Sequence, residues 1–413
     1  MTVSFTDRLN GEQKLLLVAF AAIPANFATV MQIYPAHFVI FVALFWAVMR
    51  FFRTYRIDVR LIALFTIYPC IVALDYFVSG TGHGVGLFFE NVFRFFLFLS
   101  SFIIYGNIID KNRFSDRLRF LVVTGIIVTT YPYLLVWNIF FVSSPGGRDY
   151  NIFAGYNCAN IFFLSITIYL LSLFLRARSS ARFGFLLFVA IELLLTLTLL
   201  AKSASREGLV VMIIGCLAFI FTSRTSVKTL LVVSAVLCSF LLFGSAVMIH
   251  RFVTELSALD SPTSDSSTLD RLWLMLQWYD RLSPSMLIFG DTWGLCYPQL
   301  AAIGGGGDLD CETSIHDGYL QMVAVGGLLF FAFMLWMTAG TLRRWCKGSP
   351  EFLSFMIAYA VGLLMSDNLS STQLYILLPL AHFLLPPRGP SDPLRRPRPV
   401  LAAERQNAVG MMN

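Results

Sequence analysis

Between Leu15 and Leu385 the chain repeats apolar runs of about twenty residues, each long enough to cross roughly 30 Å of hydrocarbon as a helix. A water-soluble domain interrupts such runs with charge, roughly a quarter of its residues being charged. Here 13% are charged and 57% hydrophobic, so the solvent that suits this chain is a bilayer. Inside hydrocarbon the backbone must satisfy its own polar groups, which leaves helices and closed barrels. Unbroken apolar runs without period-two alternation specify helices, and the expected fold is an all-α polytopic bundle.

Twelve spans are predicted, near 13–33, 35–52, 60–79, 85–106, 117–142, 152–175, 183–201, 207–222, 229–249, 317–340, 352–367 and 372–386. Pro24 and Pro35 interrupt the first two. Leu15 to Ala28, with Lys14 in front and small residues near Ala25, also has the make-up of a signal peptide; an uncleaved first span is the preferred reading. One transmembrane domain is expected over 1–386, with a long outer loop at 250–316 inserted in it. A tail at 387–413, rich in Pro and Arg, is expected to be disordered.

The net charge of +6 does not point to nucleic acid, because the cations sit in short connections between spans and form no basic face interleaved with aromatics. Cytoplasmic connections retain Lys and Arg. Arg50, Arg53, Arg56 and Arg60 fill the second connection, Lys111, Arg113, Arg117 and Arg119 the fourth, and Arg176, Arg178 and Arg182 the sixth. Arg224 and Lys228, then Arg343, Arg344 and Lys347, then the arginines of the tail continue the alternation. Both termini are therefore expected in the cytoplasm. Arg94, Arg148, Lys202, Arg206, Arg251, Arg271 and Arg281 break the rule, so something other than topology must retain them.

Some of these have a local explanation. Glu90 and Arg94 stand four residues apart on one helical face and can neutralise each other, whether for structure or function. Asp75 and Glu192 are further acids expected within spans. Lys202-Ser203-Ala204-Ser205-Arg206 puts two cations and two hydroxyls in a short outer turn. Arg206 would open the next helix, where free N–H groups already favour a phosphate; snorkelling to lipid headgroups is the alternative. In the long loop, Ser267-Thr268-Leu269-Asp270 reads as an N-cap and Ser283-Pro284 as a stop, which predicts an amphipathic helix over about 268–282 with Arg271 beside its apolar face. The stretch from Ile288 to Gly307 shows no helix or strand pattern, and its glycine run lacks the Lys-Ser/Thr of a nucleotide loop.

Trp273 and Trp293 offer flat faces for sugar rings or anchors at the membrane surface. Cys296 and Cys311 can form a disulfide in an oxidising periplasm, closing a loop of about 15 residues for roughly 3 kcal/mol. His316 is the strongest candidate. An ordinary imidazole, with a reference pKa of about 6.5, can accept a hydroxyl proton at neutral pH, and Glu312 one turn earlier can orient it. Tyr319 follows within one turn. No His/Cys/carboxylate set has the spacing of a zinc site, and no metal or other cofactor is expected.

Four fragments taken in order resemble the bacterial O-antigen polymerase and O-antigen ligase superfamily over roughly 190–335. They are Ser205-Arg206-Glu207-Gly208 opening a span, Arg271 followed by Trp273, Phe289-Gly290-Asp291-Thr292-Trp293-Gly294, and Ser314-Ile315-His316-Asp317-Gly318-Tyr319-Leu320 followed by Val325-Gly326-Gly327-Leu328. Members often have His-Asn where this chain has His316-Asp317. The resemblance implies a bundle similar to GT-C-type glycosyltransferases in the bacterial inner membrane. It also implies metal-independent, inverting glycosyl transfer from an undecaprenyl-diphosphate-linked oligosaccharide at the periplasmic face. By that resemblance Arg206 and Arg271 bind the diphosphate and His316 is the general base; the residues themselves add Lys202, Glu312, Trp273, Trp293 and Tyr319 as candidates against the substrate. The expected product is a surface polysaccharide or exopolysaccharide, with chain-length regulator and export proteins as candidate partners. The alternatives are a ligase acting on lipid A core and, in a different class, a lipid-linked glycan transporter using Glu90, Arg94 and Glu192.

Overall fold

A computed structural model describes residues 9–22, 35–54, 58–79, 85–140, 156–176, 183–202, 206–222, 231–235, 279, 283–290, 318–364 and 376–387. Among them 92% are helical and none is in a strand, which establishes an all-α fold. The helices are α1 (Gly11–Ala21), α2 (Pro35–Thr54), α3 (Val59–Ser79), α4 (Val85–Lys111), α5 (Asp116–Phe140), α6 (Tyr156–Arg176), α7 (Phe183–Lys202), α8 (Arg206–Thr222), α9 (Pro284–Phe289), α10 (Gly318–Gly348), α11 (Pro350–Gly362) and α12 (Leu377–Leu384). Three stretches, Val59–Val78, Val92–Lys111 and Met322–Gly348, are long and apolar enough to cross a membrane, with mean hydropathies of 2.0, 1.8 and 2.0. Shorter apolar helices include His37–Arg50, Ile161–Leu175, Gly184–Thr198 and Val210–Thr222.

The surface agrees with a membrane protein. Phe38 and Phe45 of α2, Phe77 of α3 and Phe221 of α8 are between 67% and 85% exposed, which water would penalise and lipid tails do not. The interior is aromatic as well. Tyr68 of α3 packs on Phe330 and Phe333 of α10, Phe95 meets Phe330 at 4.9 Å, and Trp345 lies between Phe102 and Phe352. Gly106 of α4 makes that last contact close, since a Cβ there would stand 2.9 Å from the Trp345 ring. Pro69 lies inside α3 without ending it, as happens in membrane helices whose neighbours satisfy the freed groups.

Two short elements start on the same device. Ser349 accepts a hydrogen bond from the Phe352 N–H with Pro350 at the first helical position, and Ser283 accepts from the Met286 N–H with Pro284 next to it. The sequence reading took Ser283-Pro284 as the end of one helix, and the structure makes it the beginning of α9. Proline lacks the N–H that a first helical residue cannot use anyway, so Ser-Pro can open a helix as well as close one. Of the predicted helix at 268–282 only Tyr279 is among the described residues; the predicted span at 229–249, apart from 231–235, and the tail beyond 387 lie outside them.

The cation-bearing helix ends converge on one face. Glu12 of α1 pairs with Arg50 of α2, Asn10 donates to Asn112 after α4, and Arg60 of α3 donates to Thr341 of α10. Arg344 pairs with Asp110 of α4, and Arg119 of α5 donates to the Phe383 carbonyl of α12. Ser172 of α6 donates to Glu351 of α11, Phe185 of α7 packs on Phe120 of α5, and Thr222 of α8 bonds Ser354 of α11. The helices from α1 to α8 thus alternate in direction, and α10, α11 and α12 continue the alternation. Arg50, Arg60, Lys111, Arg119 and Arg344 all belong to this one face.

Candidate functional site

The ends of α7, α8, α10 and α11 that lie away from the cation-rich face bear the candidate residues. Lys202 closes α7 and Arg206 opens α8. Along the seam between α8 and α11, Thr222 meets Ser354 at 2.6 Å while Gly215 faces Ala358, so the two helices run antiparallel. The Arg206 end of α8 therefore lies on the same side of the bundle as the C-terminal end of α11. Gly215 lets this seam close: a Cβ there would be 2.7 Å from Leu164 of α6 and 3.4 Å from Ala358.

Tyr319, half-buried in the first turn of α10, donates its hydroxyl to the Ala360 carbonyl at 3.0 Å. This bond brings the beginning of α10 to the end of α11, and so to the side on which α8 begins. His316 precedes the first residue of α10 by two positions in the chain. Two helix N-termini, those of α8 and α10, consequently open on the same side. Each carries roughly half a positive charge from its dipole, a setting that favours a phosphate or diphosphate. The 13 residues of α11 span only about 20 Å of its path from the cation-rich face, less than the thickness of a hydrocarbon core. His316, Arg271, Glu312, Trp273, Trp293, Cys296 and Cys311 lie outside the described residues.

A backbone lock secures α10 against the chain at the end of α9. Gly290, after α9, has φ +79° and ψ −179°, and Gly327 inside α10 has φ +66° and ψ −176°, conformations reserved in practice for glycine. A Cβ on Gly290 would meet the Val325 carbonyl oxygen at 2.3 Å, and one on Gly327 would meet the Ile288 oxygen at 2.1 Å. The two chain segments therefore touch main chain to main chain. Phe289-Gly290 and Val325-Gly326-Gly327-Leu328, two fragments of the family resemblance taken separately from sequence, meet here. The break at Gly327 divides α10 into a short first part leading from Gly318 and a long second part that reaches the cation-rich face.

The sequence reading missed a second polar cluster, at the cation-rich face. Asp58 accepts from Arg60 Nε at 3.0 Å, from Arg60 Nη2 at 2.7 Å and from Asn107 Nδ2 at 2.7 Å. Partial burial pushes its carboxyl up, but these donors and the Arg60 backbone N–H outweigh burial and hold it at about 2. One turn beyond Asn107, Asp110 accepts from Trp345 Nε1 at 2.9 Å and lies 3.1 Å from His382 Nε2, while His382 stacks on Trp345 with ring centroids 4.0 Å apart. Asn107 and Asp110, three residues apart at the end of an apolar run, were the signal that could have revealed it. Within the bundle, Asp75 and Glu192 are buried, Glu192 facing Thr124 of α5.

No known protein family's sequence model matches this chain, and no curated protein matches it.

Proposed function

We propose that this chain is a membrane glycosyltransferase that polymerises undecaprenyl-diphosphate-linked oligosaccharide repeat units into a surface polysaccharide or exopolysaccharide. It acts at the periplasmic face of the bacterial inner membrane. Twelve spans carry it, in a bundle similar to GT-C-type enzymes, with both termini in the cytoplasm and the loop at 250–316 outside. The observation that supports this reading best is the gathering of the first residue of α8, the start of α10 and the end of α11 on the side away from the cations.

In this reading Arg206 and Arg271 hold the donor diphosphate. Charge builds on that leaving group as the glycosidic bond breaks, so guanidinium groups and helix N-termini stabilise the transition state more than the ground state. His316, oriented by Glu312, takes the proton from the acceptor hydroxyl as its oxygen attacks the sugar carbon from the face opposite the diphosphate, inverting that centre. Lys202, Trp273, Trp293 and Tyr319 bind the headgroup and sugars, and a Cys296–Cys311 bridge steadies the loop. No metal enters the scheme.

The test is reconstitution of the purified full-length protein with lipid-linked repeat units alone. A ladder of products is expected, and His316→Ala, at equal protein level, should lower its yield by at least about a hundredfold. Arg206→Ala and Arg271→Ala should each reduce the rate by about tenfold or more. Product that appears only when lipid A core is added would assign a ligase. A ladder unchanged by His316→Ala would overturn the mechanism.

A further inference from the structure

At the cation-rich face α1, α2, α3 and α4 leave a cleft of about 80 Å³ that the glycosyl-transfer reading does not use. It has room for about five to eight water molecules or a small polar headgroup. Its lower wall is apolar, formed by Leu15, Ala43, Leu61, Ile104 and Ile108, and its rim carries Glu12, Arg50, Asp58 and Lys111. The acid Glu12 and the bases Arg50 and Lys111 around an apolar floor match a ligand with both charges at one end and hydrocarbon at the other. The geometry points to a phospholipid with a primary-amine headgroup, phosphatidylethanolamine in chemical class, seated here from the leaflet on this face. The inference needs only that the chain lies in a bilayer, not that it transfers sugars.

Each group on the rim has a role to fill. Lys111 is exposed and has no anionic partner among the described residues, which leaves its ammonium for a lipid phosphate. Arg50, 45% exposed in its side chain, reaches the same rim and pairs with Glu12. Glu12 also accepts from Asn112 at 3.4 Å, a weak bond, so its carboxylate can take up a headgroup ammonium. Asp58 is engaged by Arg60 and Asn107 and builds the wall without binding. Trp46 lines the cleft and is 49% exposed, as are Phe45 beside it at 67% and Phe65 of α3 at 49%, so the acyl chains have an apolar surface to follow into the bilayer. A purely anionic lipid would leave Glu12 facing a like charge, and a quaternary amine cannot donate the hydrogen bonds that a carboxylate on this rim accepts.

The full-length protein, delipidated in a mild detergent, should be titrated with phosphatidylethanolamine, phosphatidylglycerol or phosphatidylcholine of identical acyl chains while thermal stability and bound lipid are read by native mass spectrometry. The expected result is a preference of about tenfold for the ethanolamine lipid over either other, the scale of one charge-assisted hydrogen bond. Lys111→Gln, whose side chain supports no described contact, should weaken all three phospholipids while leaving the stability of the lipid-free protein unchanged. Glu12→Gln should abolish the preference for ethanolamine, with the folded fraction confirmed by gel filtration. Equal binding of the three lipids, preference for phosphatidylglycerol, or full ethanolamine selectivity in Glu12→Gln would overturn the inference. Stabilisation by soluble phosphoethanolamine as strong as by the lipid would overturn its assignment to a lipid.

Discussion

At the scale of single residues, two glycines and one aspartate are the most consequential described positions. Gly290 and Gly327 combine a backbone conformation barred to L side chains with main-chain contact at the place where a Cβ would go. The strain alone is worth about 1–3 kcal/mol, and the clashing atoms are carbonyls that cannot rotate away. Gly290→Ala and Gly327→Ala should each lower the thermal midpoint in detergent, by more than any helical glycine with open space around it. Gly125→Ala is the control: nothing stands within 4 Å of its Cβ position, and helix propensity makes the change neutral or slightly stabilising, by up to about 1 kcal/mol.

Asp58 gives a signed dependence on pH. Its folded pKa of about 2 lies below the ordinary 3.8, so its contribution to stability is fully present above 3.8 and is lost as pH falls from 3.8 towards 2. Asp58→Asn should be less stable than wild type at neutral pH, and the difference between the two should shrink across that acidic window. A thermal-denaturation series in matched buffers measures it. These effects were only partly legible in sequence. The glycines stand out as motif fragments, whereas a carboxylate followed two residues later by an arginine reads as ordinary loop charge, because Asn107, which donates to the carboxylate, and Thr341, which accepts from Arg60, are remote in the chain.

At the scale of elements, most helix limits were legible, because a span is set by a local sum of transfer energies over about twenty residues. α2, α3, α5, α6, α7 and α8 fall within a few residues of their predicted limits. The departures have causes. α10 continues to Gly348, past its predicted end at 340, because Thr341 and Trp345 are drawn into contacts with Arg60 and Asp110. α9 was not anticipated, since six residues are too few for periodicity to register and its packing comes from α3 and the bend in α10. The seam of α6, α8 and α11 rests on Gly215, where a methyl group would press only on the mobile end of Leu164 but a larger side chain would also meet Ala358. Gly215→Leu should therefore destabilise the protein by about 1–3 kcal/mol or more through overpacking, and Gly215→Ala by less. Because this seam also places the start of α8, the proposed glycosyl transfer should fall further in Gly215→Leu than stability does, a comparison made at a temperature where both variants remain folded.

At the scale of the molecule, the charges and the contacts describe the same division into two faces. The charge rule assigns Arg50, Arg60, Lys111, Arg119 and Arg344 to one side from chain position alone, and side-chain contacts independently bring those helix ends together. Orientation in the cell can be measured directly. In a variant without native cysteines, a cysteine replacing Lys347 should react with an impermeant maleimide only after the inner membrane is opened. A cysteine replacing Ser203, between α7 and α8, should react in intact spheroplasts. The reverse pattern would put the candidate site in the cytoplasm and end the proposed reaction, since the donor would be on the wrong side.

By itself the sequence determined that the chain is helical, that it belongs in a membrane, and which helix ends share a face. Each of these follows from quantities that add along a short window, hydrocarbon transfer and charge, and needs no knowledge of partners. Only the tertiary structure decided that Tyr319 reaches Ala360, that Gly290 lies against Val325, and that Asp110 is joined by Trp345 and His382. Those pairings join residues from about 35 to 270 positions apart, and they depend on which apolar surfaces fit each other, a property of shapes in contact that no single stretch of chain carries.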